Sequence, residues 1–187
     1  MVKTLRKTYQ LKITLKDSKP PIWRRFLIED SVTLAKLHDA LQIIMGWTDS
    51  HLHQFVAGNR FYGVPDLDFD FSETLDEKKF RLSQLLKKEK DSILYEYDFG
   101  DGWRHQITLE KILSFDPNSA LPACIKAKGA CPPEDIGGIW GYYHFLDALS
   151  DPDHPEHAEY KEWIEGDFDP DAYDIDEVNE LLARHYR

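Results

Sequence analysis

Along Tyr9-Gln-Leu-Lys-Ile-Thr-Leu-Lys16 apolar and polar side chains alternate, so Leu11, Ile13 and Leu15 share one face and Lys12, Thr14 and Lys16 the other. A period of two is that of a half-buried strand. Asp17-Ser-Lys-Pro-Pro21 interrupts it as a turn, because two prolines cannot donate to a ladder, and Ile22 to Ile28 returns as a second strand. The period then changes. Leu34, Leu37, His38, Leu41, Ile44 and Met45 recur at helical spacing, with Thr33 placed to cap the start and Gly46 to end the run. On that stripe His38 reads as a core-edge histidine. His51 to Ala57 predicts a third strand, turning at Gly58-Asn59 into Arg60 to Tyr62. Residues 64–80 read as irregular and acidic, and Leu82 to Lys88 as a short amphipathic helix. Two hairpin strands follow, about 92–98 and 103–112. Phe115 to Gly138 reads as loop. Three helices close the chain: Trp140 to Leu149, with Tyr143 or His144, Phe145 and Leu149 inward; Glu156 to Glu165; and one begun by Asp174 and Glu177 that ends near His185. Strands first and helices gathered at the C-terminus predict an α+β fold. We expect a single domain over residues 1–187, a mostly antiparallel sheet with helices packed on it.

Composition narrows the class. A chain of 187 residues with 42% hydrophobic and 13% aromatic side chains buries a core of its own without metal or disulfide. No apolar run has the length of a membrane span, and the N-terminus lacks the apolar stretch of a secretory signal, so a soluble cytoplasmic protein is expected, with no membrane partner. Cys124 and Cys131, six residues between them, then read as free thiols. The net charge is −11, unevenly spread. Residues 1–25 carry eight basic side chains against Asp17 alone, and residues 134–187 carry sixteen acids against Lys161, Arg184 and Arg187. Clustered bases are what phosphate contacts need. An acidic molecule is nevertheless repelled by nucleic acid at long range, so two solvated faces are the plainer reading.

Three segments stand out, in order: Trp47-Thr-Asp-Ser-His-Leu-His-Gln-Phe55; Tyr97-Asp-Phe-Gly-Asp-Gly-Trp-Arg-His105; and Cys131-Pro-Pro-Glu-Asp-Ile-Gly-Gly138 followed by Gly141-Tyr142 and Phe145-Leu146. Together they resemble the Ri-plasmid open-reading-frame-three-like family across about residues 5–185. The resemblance implies an α+β fold, this motif set and an association with mobile elements, but no activity. Some members of the family are labelled resolvase-like. A serine recombinase needs a nucleophilic serine among arginines that hold the scissile phosphate. Of the eight arginines here only Arg24 and Arg25 are adjacent, and no serine stands between or beside them.

The chemistry-bearing residues cluster at turns. His51 and His53, two apart, would share a strand face; Asp98 and Asp101 flank the hairpin turn; His105 lies on the return strand. Imidazoles and carboxylates on neighbouring strands suit Zn²⁺, Mn²⁺ or Fe²⁺. The structural alternative has Asp98 accepting backbone N–H groups across the turn, Gly100 and Gly102 supplying positive φ, and Trp103 and His105 packing with Ile107 and Leu109. Asp66, Asp68, Asp70 and Glu77 echo a calcium loop, but Phe71 occupies its glycine position; Asp167 to Asp171 starts the same way and places Ala172 there. Asp98-Phe-Gly100 has no kinase context around it. The reading that follows is a binding or interaction protein for a protein or small ligand. Its surface would lie around His51, His53, Asp98, Asp101, Trp103 and His105, with Glu134 and Asp135 nearby. One alternative is a metal-dependent, hydrolase-like enzyme using His51, His53, Asp98, Asp101 and His105. The other is a nucleic-acid-binding accessory using residues 3–25.

Overall fold

The computed structural model describes residues 6–65 and 74–186. Eight strands form one sheet in the order β5-β4-β3-β6-β7-β1-β2-β8. They are β1 Lys7–Leu15, β2 Trp23–Glu29, β3 His53–Ala57, β4 Arg60–Gly63, β5 Leu75–Asp76, β6 Ser92–Tyr97, β7 Trp103–Ser114 and β8 Ala123–Lys128. Among the described strands only the β4–β5 pair is parallel. The helices are α1 Leu34–Met45, α2 Leu82–Leu85, α3 Gly138–Ser150, α4 His157–Trp163 and α5 Ile175–His185. The fold is therefore α+β and mostly antiparallel. Among the described residues no helix is long and apolar enough to cross a membrane.

The alternation in β1 places Leu11, Ile13 and Leu15 in the core. Phe26 and Ile28 of β2 and Ile107 and Leu109 of β7 extend that face. The opposite face is polar, and there Glu110 receives Arg25 through Nε and Nη2 while Gln10 donates to it at 2.8 Å. Helix α1 covers the apolar face with Leu34, Leu37, Leu41 and Ile44, all fully buried. Its ends follow the sequence. Thr33 accepts from the Lys36 N–H, and Gly46, at φ 102°, turns into the left-handed region that ends a helix without a Cβ penalty. A Leu→Ala change on this stripe costs about 2–5 kcal/mol by the usual cavity rule.

Some expectations shift. A loop-rich segment was expected from Phe115 to Gly138, yet β8 lies within it, paired to β2. Its short sequence, Ala-Cys-Ile-Lys-Ala-Lys, carries no clean alternation. What makes it a strand is tertiary. Asn179 of α5 accepts from the Cys124 N–H at 2.7 Å and donates to the Cys124 carbonyl at 2.9 Å, occupying backbone groups on the open edge. The Leu82 helix is a single turn, and β3 starts at His53, leaving His51 in the preceding loop. On α3, Tyr142 and Phe145 are buried whereas His144 is exposed. Residues 66–73, which include most of the calcium-like loop, lie outside the described residues.

Candidate functional site

The three conspicuous segments meet. The Trp47 indole N–H donates to the Pro132 carbonyl at 3.1 Å, and the Thr48 N–H to Glu134 at 3.1 Å. Tyr97 donates its hydroxyl proton to the same Glu134 and accepts from the Ser50 N–H at 3.0 Å. That carboxylate, together with burial, pushes the Tyr97 phenol up, with burial the larger cause. Asp101 accepts from the Gly137 N–H at 3.1 Å. The join is close: a Cβ at Gly138 would lie 2.3 Å from the Asp101 carbonyl oxygen, and one at Gly141 would lie 1.8 Å from that of Ile136. Glycine at 138 lets the start of α3 sit against the β6–β7 turn, and glycine at 141 lets the helix pack on the Ile136 carbonyl of the loop before it.

Within this join His51, Asp98 and Asp135 come together. His51 Nε2 lies 3.1 Å from Asp135 Oδ1 and 3.8 Å from Asp98 Oδ2. That nitrogen is buried, and neither carboxylate lines up with it as a hydrogen-bond partner. Asp98 is aimed by its other oxygen, which accepts from the N–H groups of Gly100 at 2.9 Å and Asp101 at 3.3 Å. The expected turn thus exists, but its left-handed residues are Asp98, at φ 56°, and Gly102, at φ 66°. Asp135 is also left-handed, at φ 60°, a conformation that aspartate tolerates better than most residues.

His53 goes elsewhere. Its Nε2 meets Glu77 at 2.8 Å, and its ring stacks on His38 with centroids 3.4 Å apart and planes within 5°. His38 belongs to a closed circuit. The Asp49 N–H donates to Gln42 Oε1 at 3.0 Å, which fixes the amide so that Gln42 Nε2 donates to the Tyr95 hydroxyl at 2.9 Å. Tyr95 then has its proton for His38 Nδ1 at 2.8 Å, and His38 Nε2–H returns to Asp49 at 2.8 Å. Every partner is satisfied only with His38 neutral and protonated on Nε2. Burial, and after it His53, lowers the His38 pKa, in keeping with that state.

His38, Asp49, His51, His53 and Glu77 line one groove of about 450 Å³, whereas Asp98 and Asp135 lie outside its lining. The lining also holds Leu52, Val64 and Phe99, exposed by 67%, 62% and 51%. Asp49 and Glu77 carry no periodic signal. Asp49 could be read only as part of the Trp47–Phe55 segment, and Glu77 only as the last position of a calcium-like loop.

Two residues expected on the recognition surface, Trp103 and His105, are in the core. The strand parity that aligns them with Ile107 and Leu109 turns them inward. His105 has neither ring nitrogen bonded, and burial pulls its pKa down to about 3, helped by the Arg24 cation. The nearby Tyr95 and Trp103 carbonyls pull the other way without reaching hydrogen-bond geometry. His105 therefore does not join His51 and Asp98. Arg24 is likewise buried, its guanidinium 4.0 Å over the Tyr173 ring. Both cysteines are free thiols, raised above the ordinary range by burial.

Sequence comparison matches residues 7–177 to the family described as plasmid pRiA4b ORF-3-like protein. The chain belongs to the plasmid pRiA4b ORF-3-like family. It is 38% identical over 174 residues to the uncharacterised protein y4hQ of Sinorhizobium fredii, covering 92% of this chain and 89% of that one. It is also similar to the crystal structure of a protein of unknown function, MM3350, from Methanosarcina mazei, at 37% identity and a TM-score of 0.85 over 94% of this chain and 99% of that one. All three segments that meet around His51 fall within the residues matched to the ORF-3-like family.

Proposed function

We propose that this ORF-3-like protein is a binding module that takes a basic–apolar peptide segment into the groove between α1 and the start of β3. The observation that carries the reading is the combination of apolar and acidic side chains along the groove. Leu52, Val64 and Phe99 put three exposed large apolar side chains in its lining, and exposed apolar groups gathered around a concavity mark interaction sites. The same lining holds Asp39, Asp49 and Glu77 with one cation, Lys78. With its histidines neutral, as the circuit holds His38, the described lining carries three carboxylates against one ammonium and is net negative. A lysine or arginine flanked by leucine or phenylalanine complements both features.

The test is fluorescence anisotropy with a labelled peptide holding one lysine between leucines, and with its counterpart in which glutamate replaces the lysine. The lysine peptide binds, more weakly as salt rises, and Leu52→Glu or Phe99→Glu weakens it about tenfold or more. Equal binding of both peptides, or none of the lysine peptide, ends the reading.

The nucleic-acid alternative has less behind it. Of the basic residues near the N-terminus, Arg24 is buried, Arg25 is held by Glu110, and Arg6 lies 3.6 Å from Glu29. The metal-dependent alternative rests on the grouping of His51, Asp98 and Asp135.

A further inference from the structure

We infer that His51, Asp98 and Asp135 form a divalent transition-metal site beside the groove, holding the β6–β7 turn against the 131–138 loop. Three observations support the choice. First, the donor set is one imidazole and two carboxylates, which suits Zn²⁺, Mn²⁺ or Fe²⁺. Second, ligand atoms around an ion with bonds of about 2.1 Å stand roughly 3.0 Å apart in octahedral and 3.4 Å in tetrahedral geometry. The His51–Asp135 distance of 3.1 Å already matches, and the His51–Asp98 distance of 3.8 Å needs a closure of about half an ångström. Third, His51 Nε2 is buried without a hydrogen bond although two carboxylates face it. As an unprotonated ligand nitrogen it has a use for its lone pair, and the ion neutralises the paired acids. Asp98 is prepared for the role, since the Gly100 and Asp101 N–H groups fix its outer oxygen.

Two other groups of ligand-type side chains are less suited. His38, Asp49 and His53 are close enough, but parallel imidazoles 3.4 Å apart put a shared ion half that distance out of each ring plane. With bonds of about 2.1 Å, each in-plane lone pair would miss it by roughly 50°. His144, His154 and Glu156 also gather. There the Glu156 N–H donates to His154 Nδ1 at 3.2 Å, so neutral His154 carries its proton on Nε2 and has no lone pair left to give.

The site shares His51 with the groove lining, but Asp98 and Asp135 lie outside it, so metal binding lost in their asparagine variants is read separately from peptide binding. Chelator-treated full-length protein is titrated with Zn²⁺ and, separately, Mn²⁺ by isothermal calorimetry. Asp98→Asn and Asp135→Asn are the informative variants, because asparagine tolerates the left-handed backbone and keeps the turn's acceptor. His144→Ala/His154→Ala and His53→Ala are controls. One ion per chain is expected for at least one metal, weakened roughly tenfold or more by each asparagine variant and unchanged in both controls. The inference is overturned if neither ion binds at millimolar concentration. It is equally overturned if the asparagine variants bind like the parent, or if a control abolishes binding.

Discussion

His105→Leu tests whether the histidine of the hairpin is structural. The side chain is fully buried, both ring nitrogens lack partners, and burial lowers its pKa from 6.5 to about 3. In the unfolded chain this imidazole takes a proton below about pH 6.5, whereas in the fold it stays neutral until about pH 3. Between those values the unfolded state binds more protons, so stability falls as pH is lowered. At pH 4.5, two units below the unfolded value, the linkage amounts to about 2.7 kcal/mol. That figure barely changes if the folded pKa is a unit higher, because at that pH the folded imidazole is still mostly neutral. Leucine has nearly the same volume and no polar atoms. At pH 7 the variant should therefore lie within about 1.5 kcal/mol of the parent. Urea denaturation of both proteins at pH 7.0 and pH 4.5 gives the four free energies needed. The pH-induced loss should be smaller in the variant by about 2.5 kcal/mol, a little of the linkage being present already at pH 7.0, the carboxylates contributing equally to both proteins. An unchanged acid sensitivity, or a loss above about 3 kcal/mol at pH 7, would show that the nitrogens are bonded after all.

Other outcomes follow from the same geometry. Gly138→Ala would set a methyl 2.3 Å from the Asp101 carbonyl in a residue at φ 68°; a loss of about 3 kcal/mol or more is expected by thermal denaturation, and a change under about 1 kcal/mol would refute the close-approach argument. Arg24→Lys should cost about 2–3 kcal/mol in urea denaturation, because an ammonium cannot reach the Ile44, Trp23 and Lys128 carbonyls together while stacking on Tyr173. His38→Ala leaves the Tyr95 hydroxyl without its acceptor and should destabilise the fold by about 2–4 kcal/mol. In Gln42→Glu a carboxylate facing the Tyr95 hydroxyl replaces a donor. Its penalty should be larger at pH 8 than at pH 5, measured by urea midpoints.

Elements whose pattern is local were legible in the residues. β1, β2, α1 and the β6–β7 hairpin each carry a strong period with a turn or cap at the boundary, so burial followed directly. β8 did not, because its pairing depends on Asn179 about fifty residues later. The site divides in the same way. That Asp98 organises its turn is written in the Asp-x-Gly-Asp-Gly spacing. That His51 turns to Asp98 and Asp135 while His53 turns to Glu77 is not. His51 leaves the strand before the alternation begins, and the partners arrive from a different turn and a different loop. The core position of His105 could be weighed in advance, since parity with Ile107 and Leu109 already pointed inward. Its appeal as a ligand came from residue type alone.

The groove reading is tested most directly by a ¹H–¹⁵N correlation titration of the full chain with the lysine-containing peptide. Saturable shifts centred on Asp49, Leu52, His53 and Phe99, absent with the glutamate peptide, are predicted. Shifts that gather instead around Tyr142 and Tyr143, or none at millimolar peptide, would contradict it.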